Sequence, residues 1–234
     1  MAIDSSKPYD FVVTGASGNI GRRLIPILAG RGRRILALGR DDAALSAIFA
    51  DCNTVDTACY ADLNGQAVGE TWVHLAVHNN NQSGSLDDFV RVNVDFSATI
   101  CRQFNNMGGR RFVNLASVHA LDLGNASAYA TSKRQAEQAM REIVGEKLDN
   151  IHIGYFYDHG FFGERFKCLR KFGALGGAMF HGIKPLAPTT SARSLADYLL
   201  GEPANAAPAI LTEDLSRSLI YRAITRSMDI LVAV

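Results

Sequence analysis

Short apolar runs alternate with longer amphipathic stretches along this chain. Residues 9–14, Tyr-Asp-Phe-Val-Val-Thr, read as a buried strand, and a helical pattern follows over 19–29. Residues 34–38 predict a second strand, with a helix through Leu45 and Phe49. Residues 57–60 and 72–76 predict a third and a fourth strand. A long helical pattern runs over 87–105, with Phe89, Val92, Phe96 and Ile100 recurring on one face. Residues 111–116 form the fifth predicted strand, 126–144 a helix, and 151–156 the sixth strand. Strands alternating with helices require right-handed crossovers, hence a parallel sheet covered on both faces. The expected fold class is therefore α/β, a Rossmann-type doubly wound parallel sheet. Its expected division is a cofactor domain over 1–156, a compact C-terminal substrate lobe over 157–225, and an apolar tail over 226–234.

Composition changes this picture little. A chain of 234 residues with 47% hydrophobic and 20% charged residues suits a folded domain with a sizeable core. A net charge of +1 argues against an extended nucleic-acid surface. The four cysteines form no CxxC pair and the six histidines no HExxH, so no metal site is expected. The first eight residues hold no apolar signal region, and a cytoplasmic location with reduced thiols follows as the expectation.

Candidate chemistry begins at Thr14-Gly15-Ala16-Ser17-Gly18-Asn19-Ile20-Gly21, where the first strand hands over to the first helix. Glycines at that spacing let the chain turn tightly, let a diphosphate approach the backbone, and pack helix on strand. The helix N–H groups then meet the anion. The second strand ends at Gly39-Arg40-Asp41 with no carboxylate at Gly39. An acidic residue there would hold ribose hydroxyls, whereas an arginine attracts a 2′-phosphate, so Arg40 favours NADP(H) over NAD(H). Asp41 and Asp42 read as the cap and first turn of the next helix.

The second centre is Tyr129-Ala130-Thr131-Ser132-Lys133. A Tyr and a Lys four apart lie one turn from each other on a helix face. An ammonium there favours the phenolate, so the tyrosine pKa is expected to fall towards working pH. Such a group passes a proton to or from a carbonyl or alcohol oxygen while a cofactor moves the hydride. Ser117 stands twelve residues upstream.

Together these segments resemble the short-chain dehydrogenase/reductases, specifically the extended branch acting on nucleotide sugars. The glycine turn resembles TGxxGxxG, and Asp62-Leu63 the pair whose carboxylate meets the adenine amino group. His74-Leu75-Ala76 resembles the strand end that runs past the cofactor, and Asn93 the asparagine of an N-V-x-G-T stretch. The resemblance implies cofactor contacts from Gly15, Ser17, Gly18, Asn19, Ile20, Gly21, Arg40, Asp62, Leu63, Leu75 and Ala76, together with Tyr129 and Lys133. It implies that Ser117 binds the substrate oxygen, that Tyr129 is the proton donor or acceptor, and that Lys133 holds the nicotinamide ribose. Asn93 would support a proton-relay water. After residue 151 the chain departs from the family: the Arg-Pro and Tyr-Gly-Pro signatures are replaced by Gly154-Tyr155-Phe156-Tyr157 and Phe161-Phe162-Gly163. Sugar-contacting candidates there and nearby are His119, Phe162, Arg165 and Lys184. The expected activity is reduction of a UDP-4-keto-6-deoxy-sugar; a 4-epimerase and a non-catalytic NADP(H)-sensing scaffold are the alternatives.

The end of the chain stands apart. Residues 216–225 carry an amphipathic helical pattern, and Arg226-Ser227-Met228-Asp229 then leads into Ile-Leu-Val-Ala-Val. That run is either tucked against the sheet or the start of a membrane segment. It resembles the opening of the bacterial sugar transferases, which pass a sugar phosphate to a polyprenol phosphate at the inner membrane face. The resemblance implies a fusion continuing past Val234. The expected partners are thus a small nucleotide-sugar substrate, a transferase or membrane segment, and a second copy of the chain.

Overall fold

The computed structural model describes residues 8–63, 69–78, 84–159, 161–162, 166–183, 189–201 and 209–211, with backbone alone for His119, Ile183 and 209–211. These residues fall into two compact units, one running to His152 and the other from Ile153 to residue 201.

In the first unit the elements follow the hydrophobic pattern closely. They are β1 (Tyr9–Thr14), α1 (Gly21–Gly30), β2 (Ile35–Gly39), α2 (Asp42–Ile48), β3 (Val55–Cys59) and β4 (Gly69–His74). Then come α3 (Leu86–Val90), a π-helical turn (Arg91–Phe96), α4 (Ser97–Asn106), β5 (Arg111–Ser117), α5 (Ala128–Val144) and β6 (Leu148–Ile153). β1 pairs in parallel with β2 on one side and β4 on the other, β2 with β3, and β4 with β5. The sheet order is β3-β2-β1-β4-β5-β6, and a short strand β9 (Ala209–Leu211) follows β6. The chain winds outward from β1 and then resumes at β4 on its other side. The ends of β1 and β4 therefore flank the crevice where the strand order reverses, the place such sheets offer a ligand.

Apolar packing fixes this frame. Val12, Leu36, Leu38, Trp72, Phe104, Phe112 and Met140 share one buried cluster. Phe104 meets Trp72 and Phe112 edge to face, at 6.0 and 5.2 Å between ring centres. On α5 the buried positions are Ala130, Ser132, Lys133, Ala136, Met140 and Val144, a helical stripe facing the sheet. Lys133 lies on that apolar stripe, so packing draws it inward.

The fourth strand, expected over 72–76, runs Gly69–His74, and two further elements differ in kind from the sequence expectation. The single helix expected over 87–105 is interrupted by the π turn at Arg91–Phe96. Asn93 sits inside that turn and clamps the His78 backbone, donating to its carbonyl at 3.1 Å and accepting from its N–H at 2.8 Å. Widened turns of this kind concentrate at functional sites. The sixth strand, expected over 151–156, is two strands. β6 stops at Ile153, and Tyr155–Tyr157 is a separate strand, β7. Between them Gly154 turns its N–H to the Thr190 hydroxyl at 3.1 Å.

In the second unit β7 pairs in parallel with β8 (Thr189–Ser191). Phe166, Leu169 and Phe180 are buried, with Tyr155, Tyr157 and Phe162 packed around them. Phe180 comes from α6 (Gly173–Ile183). A further helix, α7 (Ala192–Leu200), is capped by Ser191, whose hydroxyl accepts from the Ser194 N–H at 3.0 Å. The tail expectations over 216–234 lie outside the described residues. Among the described residues no helix is long and apolar enough to cross a membrane.

Candidate active site

The glycine-rich turn leaves β1 with Gly15 at φ +67°, a conformation L side chains rarely adopt. A Cβ on Gly15 would stand 2.6 Å from the Ala76 nitrogen, and one on Gly18 would stand 3.1 Å from the Gly15 carbonyl. On Gly21 it would overlap the Ala16 backbone. Each glycine thus answers a close backbone approach: Gly15 to the Leu75-Ala76 segment after β4, Gly18 within the turn, and Gly21, at the start of α1, to Ala16 of the turn. α1 begins without a side-chain cap and without an acidic residue in its first turn. Its first turn is cationic instead. Arg22 donates to the Ser17 carbonyl at 2.6 Å and Arg23 to the Asn19 carbonyl at 2.8 Å. An uncapped N-terminus and a glycine cradle fit the diphosphate of a dinucleotide.

Tyr60 is a member of this region that the motif spacing does not reveal. Its hydroxyl accepts from the Gly15 N–H at 2.8 Å, and its ring meets Phe96 edge to face at 4.9 Å. Burial pushes the Tyr60 phenol up, and the Gly15 bond and the nearby Arg40 charge pull it back. Arg40 itself is exposed at the end of β2, and the Asp41 carboxylate caps α2 by accepting from the Ala44 N–H at 3.0 Å. Asp62 uses its carboxylate to accept from the Cys59 N–H at 3.1 Å, so it closes the turn after β3. Leu63 packs against the main core.

Below the turn, His74 ties the ends of β1 and β4 together. Its ring nitrogens lie 2.8 Å from the Thr14 hydroxyl and 2.8 Å from the Ser97 hydroxyl. Burial, with the Lys133 charge adding to it, pushes His74 down to about 3, so the ring is neutral.

The second group gathers at the start of α5. The Ser127 hydroxyl caps the helix by accepting from the Ala130 N–H at 3.2 Å, which fixes Tyr129 in the first turn. Tyr129 is hydrogen-bonded to the Ser117 side chain at the end of β5. The Phe89 ring stands edge-on to it at 6.3 Å. Lys133 is buried and donates to the Leu115 carbonyl at 3.0 Å. Here the expected depression of the tyrosine is not what the chain shows. Burial pushes the Tyr129 phenol up, and the bond to Ser117 only partly offsets it. The ammonium is turned to the Leu115 carbonyl instead of the phenol. Lys133 is itself pushed down to about 8 by burial, against the pull of Glu137.

Asn93 reaches this helix as well. Besides clamping His78 it donates to the Ser132 hydroxyl at 3.0 Å, so its side chain locks α5 and the loop after β4 to the π turn. Among the sugar candidates, Phe162 stacks on Phe180 at 4.7 Å and belongs to the aromatic core of the second unit. Arg165 and Lys184 lie outside the described residues, as does the His119 side chain.

A profile of the NAD dependent epimerase/dehydratase family matches residues 11–156. The chain belongs to that family. Family membership covers the glycine turn, Ser117, Tyr129 and Lys133 within one matched stretch. The chain is also similar to an uncharacterised short-chain type dehydrogenase/reductase of Sinorhizobium fredii, 35% identical over 91 residues, which is 36% of this chain and 36% of that protein. The aligned part thus spans about a third of the curated relative's own length. Among solved structures, the Bordetella bronchiseptica enzyme WbmG in complex with NAD and UDP superposes with a TM-score of 0.64 at 12% identity, covering 95% of this chain and 79% of the other. Gre2 of Candida albicans in complex with NADPH gives 0.65 at 14% identity, covering 88% and 79%. At such identities these likenesses establish the shared Rossmann-like fold.

Proposed function

We propose that this chain is an NADP(H)-dependent reductase of a nucleotide sugar, acting at C4 of a UDP-4-keto-6-deoxy-sugar. The observation that carries the reading is the hydrogen-bonded Ser117–Tyr129 pair beside the buried Lys133. Reduction needs an acid at the carbonyl oxygen. A phenol pushed up by burial keeps its proton near neutral pH and can deliver it there. Bound NADPH supplies the hydride. Ser117 holds the C4 oxygen by a hydrogen bond, Tyr129 gives that oxygen its proton, and Lys133 orders the ribose and offsets the charge left on the phenolate. The glycine cradle, from Gly15 to Gly21, holds the diphosphate on the N-terminus of α1, with Leu75 and Ala76 along the cofactor's path. Gly39-Arg40, a β2 end without a carboxylate, supports NADP(H) over NAD(H). That WbmG was solved with UDP supports a nucleotide-sugar substrate.

A 4-epimerase is the second reading, supported by the family's own description. A non-catalytic sensor is disfavoured because Tyr129 and Lys133 are both kept. The deciding experiment mixes the purified chain with NADPH and UDP-4-keto-6-deoxy-N-acetylglucosamine and follows the absorbance of the reduced cofactor. One NADPH consumed per sugar reduced is expected. Interconversion of UDP-sugars with no net loss of NADPH would replace the reductase by the epimerase.

We further read residues 226–234 as the opening of a sugar transferase, which would place the reductase at the inner membrane face beside the enzyme that uses its product. The apolar Ile230-Leu231-Val232-Ala233-Val234 supports this. A full-length product that stays soluble without detergent would exclude it.

A further inference from the structure

Lys133 is 5% exposed, and a buried ammonium is costly unless an anion stands near it. The groups around it are mostly neutral. From β4 comes His74, held uncharged. From β5 come the Leu115 carbonyl and, at the strand end, the Ser117 hydroxyl; from its own helix comes Tyr129, a phenol that keeps its proton. Among the described residues, the carboxylate whose charge acts on Lys133 is Glu137, one turn further along α5 on the same face.

Glu137 is held in turn. Its Oε1 lies 3.1 Å from Nε2 of His152, which sits on β6 and is 1% exposed. The other ring nitrogen, Nδ1, has no hydrogen-bond partner among the described residues. That fixes the tautomer. A proton on Nδ1 would be a buried orphan donor, and Nε2 would then turn a lone pair towards the carboxylate. With the proton on Nε2 the ring donates to Glu137 and leaves only an acceptor bare. The buried His152 ring thereby holds in place the Glu137 side chain, which is 20% exposed.

We propose that Glu137 and His152 form a positioning couple for Lys133, a buried imidazole holding a part-exposed carboxylate one helical turn away so that the enclosed lysine stays an ammonium. The inference rests on the reading of Lys133 as the cation of the active site. It adds two residues that neither the glycine turn nor the Tyr/Lys pair marks. His152 acts on Lys133 only through Glu137, and this sets it apart from ordinary core packing.

The test reads the lysine directly in the protein without cofactor or substrate. Isotope-labelled lysine is followed by NMR across pH, the Lys133 signal being assigned by its loss in Lys133→Arg. The wild-type midpoint is expected near the depressed value of about 8. Glu137→Gln should lower it by on the order of one pH unit, a ~10-fold loss of proton affinity. His152→Leu should lower it in the same direction, and in the Glu137→Gln background it should add nothing. An unmoved midpoint in Glu137→Gln overturns the couple, as does a His152→Leu shift of equal size in both backgrounds. Should Glu137→Gln fail to fold, His152→Leu alone decides, an unmoved midpoint being the overturning result. Failure of this titration removes the couple and leaves the active-site reading standing. Retention of full NADPH affinity in Lys133→Ala would remove that reading and leave the couple.

Discussion

Tyr60 accepts the Gly15 N–H at 2.8 Å, so a side chain from the turn after β3 holds the first glycine of the cofactor cradle. The bond occupies the backbone donor of Gly15, whose φ is +67°. Tyr60→Phe keeps the ring and its contact with Phe96 but strands the Gly15 N–H. Leaving a part-buried donor unpaired is expected to lower folding stability by about 1–3 kcal/mol. NADPH affinity should fall roughly tenfold as the turn loosens. Urea unfolding and NADPH titration measure the two effects. If neither changes, Tyr60 is only a packing aromatic.

For Tyr129 the expected phenotype is a clean loss of chemistry. Tyr129→Phe removes the proton and the bond to Ser117 while keeping the ring beside Phe89. Turnover should drop by ~10²–10⁴-fold with NADPH binding and thermal stability retained. Lys133→Ala should lose turnover and cofactor affinity together. Wild-type rates in Tyr129→Phe would sink the assignment.

Much of this site was legible in the chain itself, for definite reasons. Short apolar runs and helical patterns mark buried strands and amphipathic helices, so β1, β2, β5 and α5 fall within a few residues of their expected places. Gly15, Gly18 and Gly21 are legible because a missing Cβ is a sequence fact with a geometric use. What stayed hidden depends on contacts between distant segments. Nothing near Tyr60 announces Gly15, and Asn93 looks like any helix amide until His78 and Ser132 close on it. Helix spacing points the Tyr129 shift the wrong way because it says nothing of burial. Once enclosed, the phenol responds first to lost solvent, and the Lys133 ammonium turns to Leu115. The break between β6 and β7 follows from Gly154 bonding Thr190, thirty-six residues away.

Cofactor choice is predicted to turn on Arg40. It is exposed and free of a carboxylate at Gly39, and its charge reaches Tyr60 beside the cradle. A charge-assisted contact to a 2′-phosphate contributes on the order of 1.5–3 kcal/mol. NADPH should therefore bind more tightly than NADH, and Arg40→Ala should narrow that gap by weakening NADPH alone. Calorimetric titration of both cofactors against both proteins is the measurement. Equal or better binding of NADH by the wild type would move the protein to the epimerase reading.

The last expectation concerns acid stability, because His74 is buried in neutral form under the crevice. Its pKa falls from 6.5 to about 3, the first cause being burial. Between those values the unfolded chain binds a proton that the folded chain does not. Folding stability must then decrease as pH drops below about 6.5, by ~1.4 kcal/mol per pH unit from this group. Above about 6.5 the contribution is complete and flat. The window from about pH 7 to about pH 5.5 lies above the ordinary carboxylate range, so His74 should stand out there. Urea midpoints of the wild type should fall across it. His74→Gln offers Thr14 and Ser97 an amide and should be less stable at neutral pH, but it should lose most of the slope. Identical pH slopes in the two proteins would show that the acid limb belongs to another group.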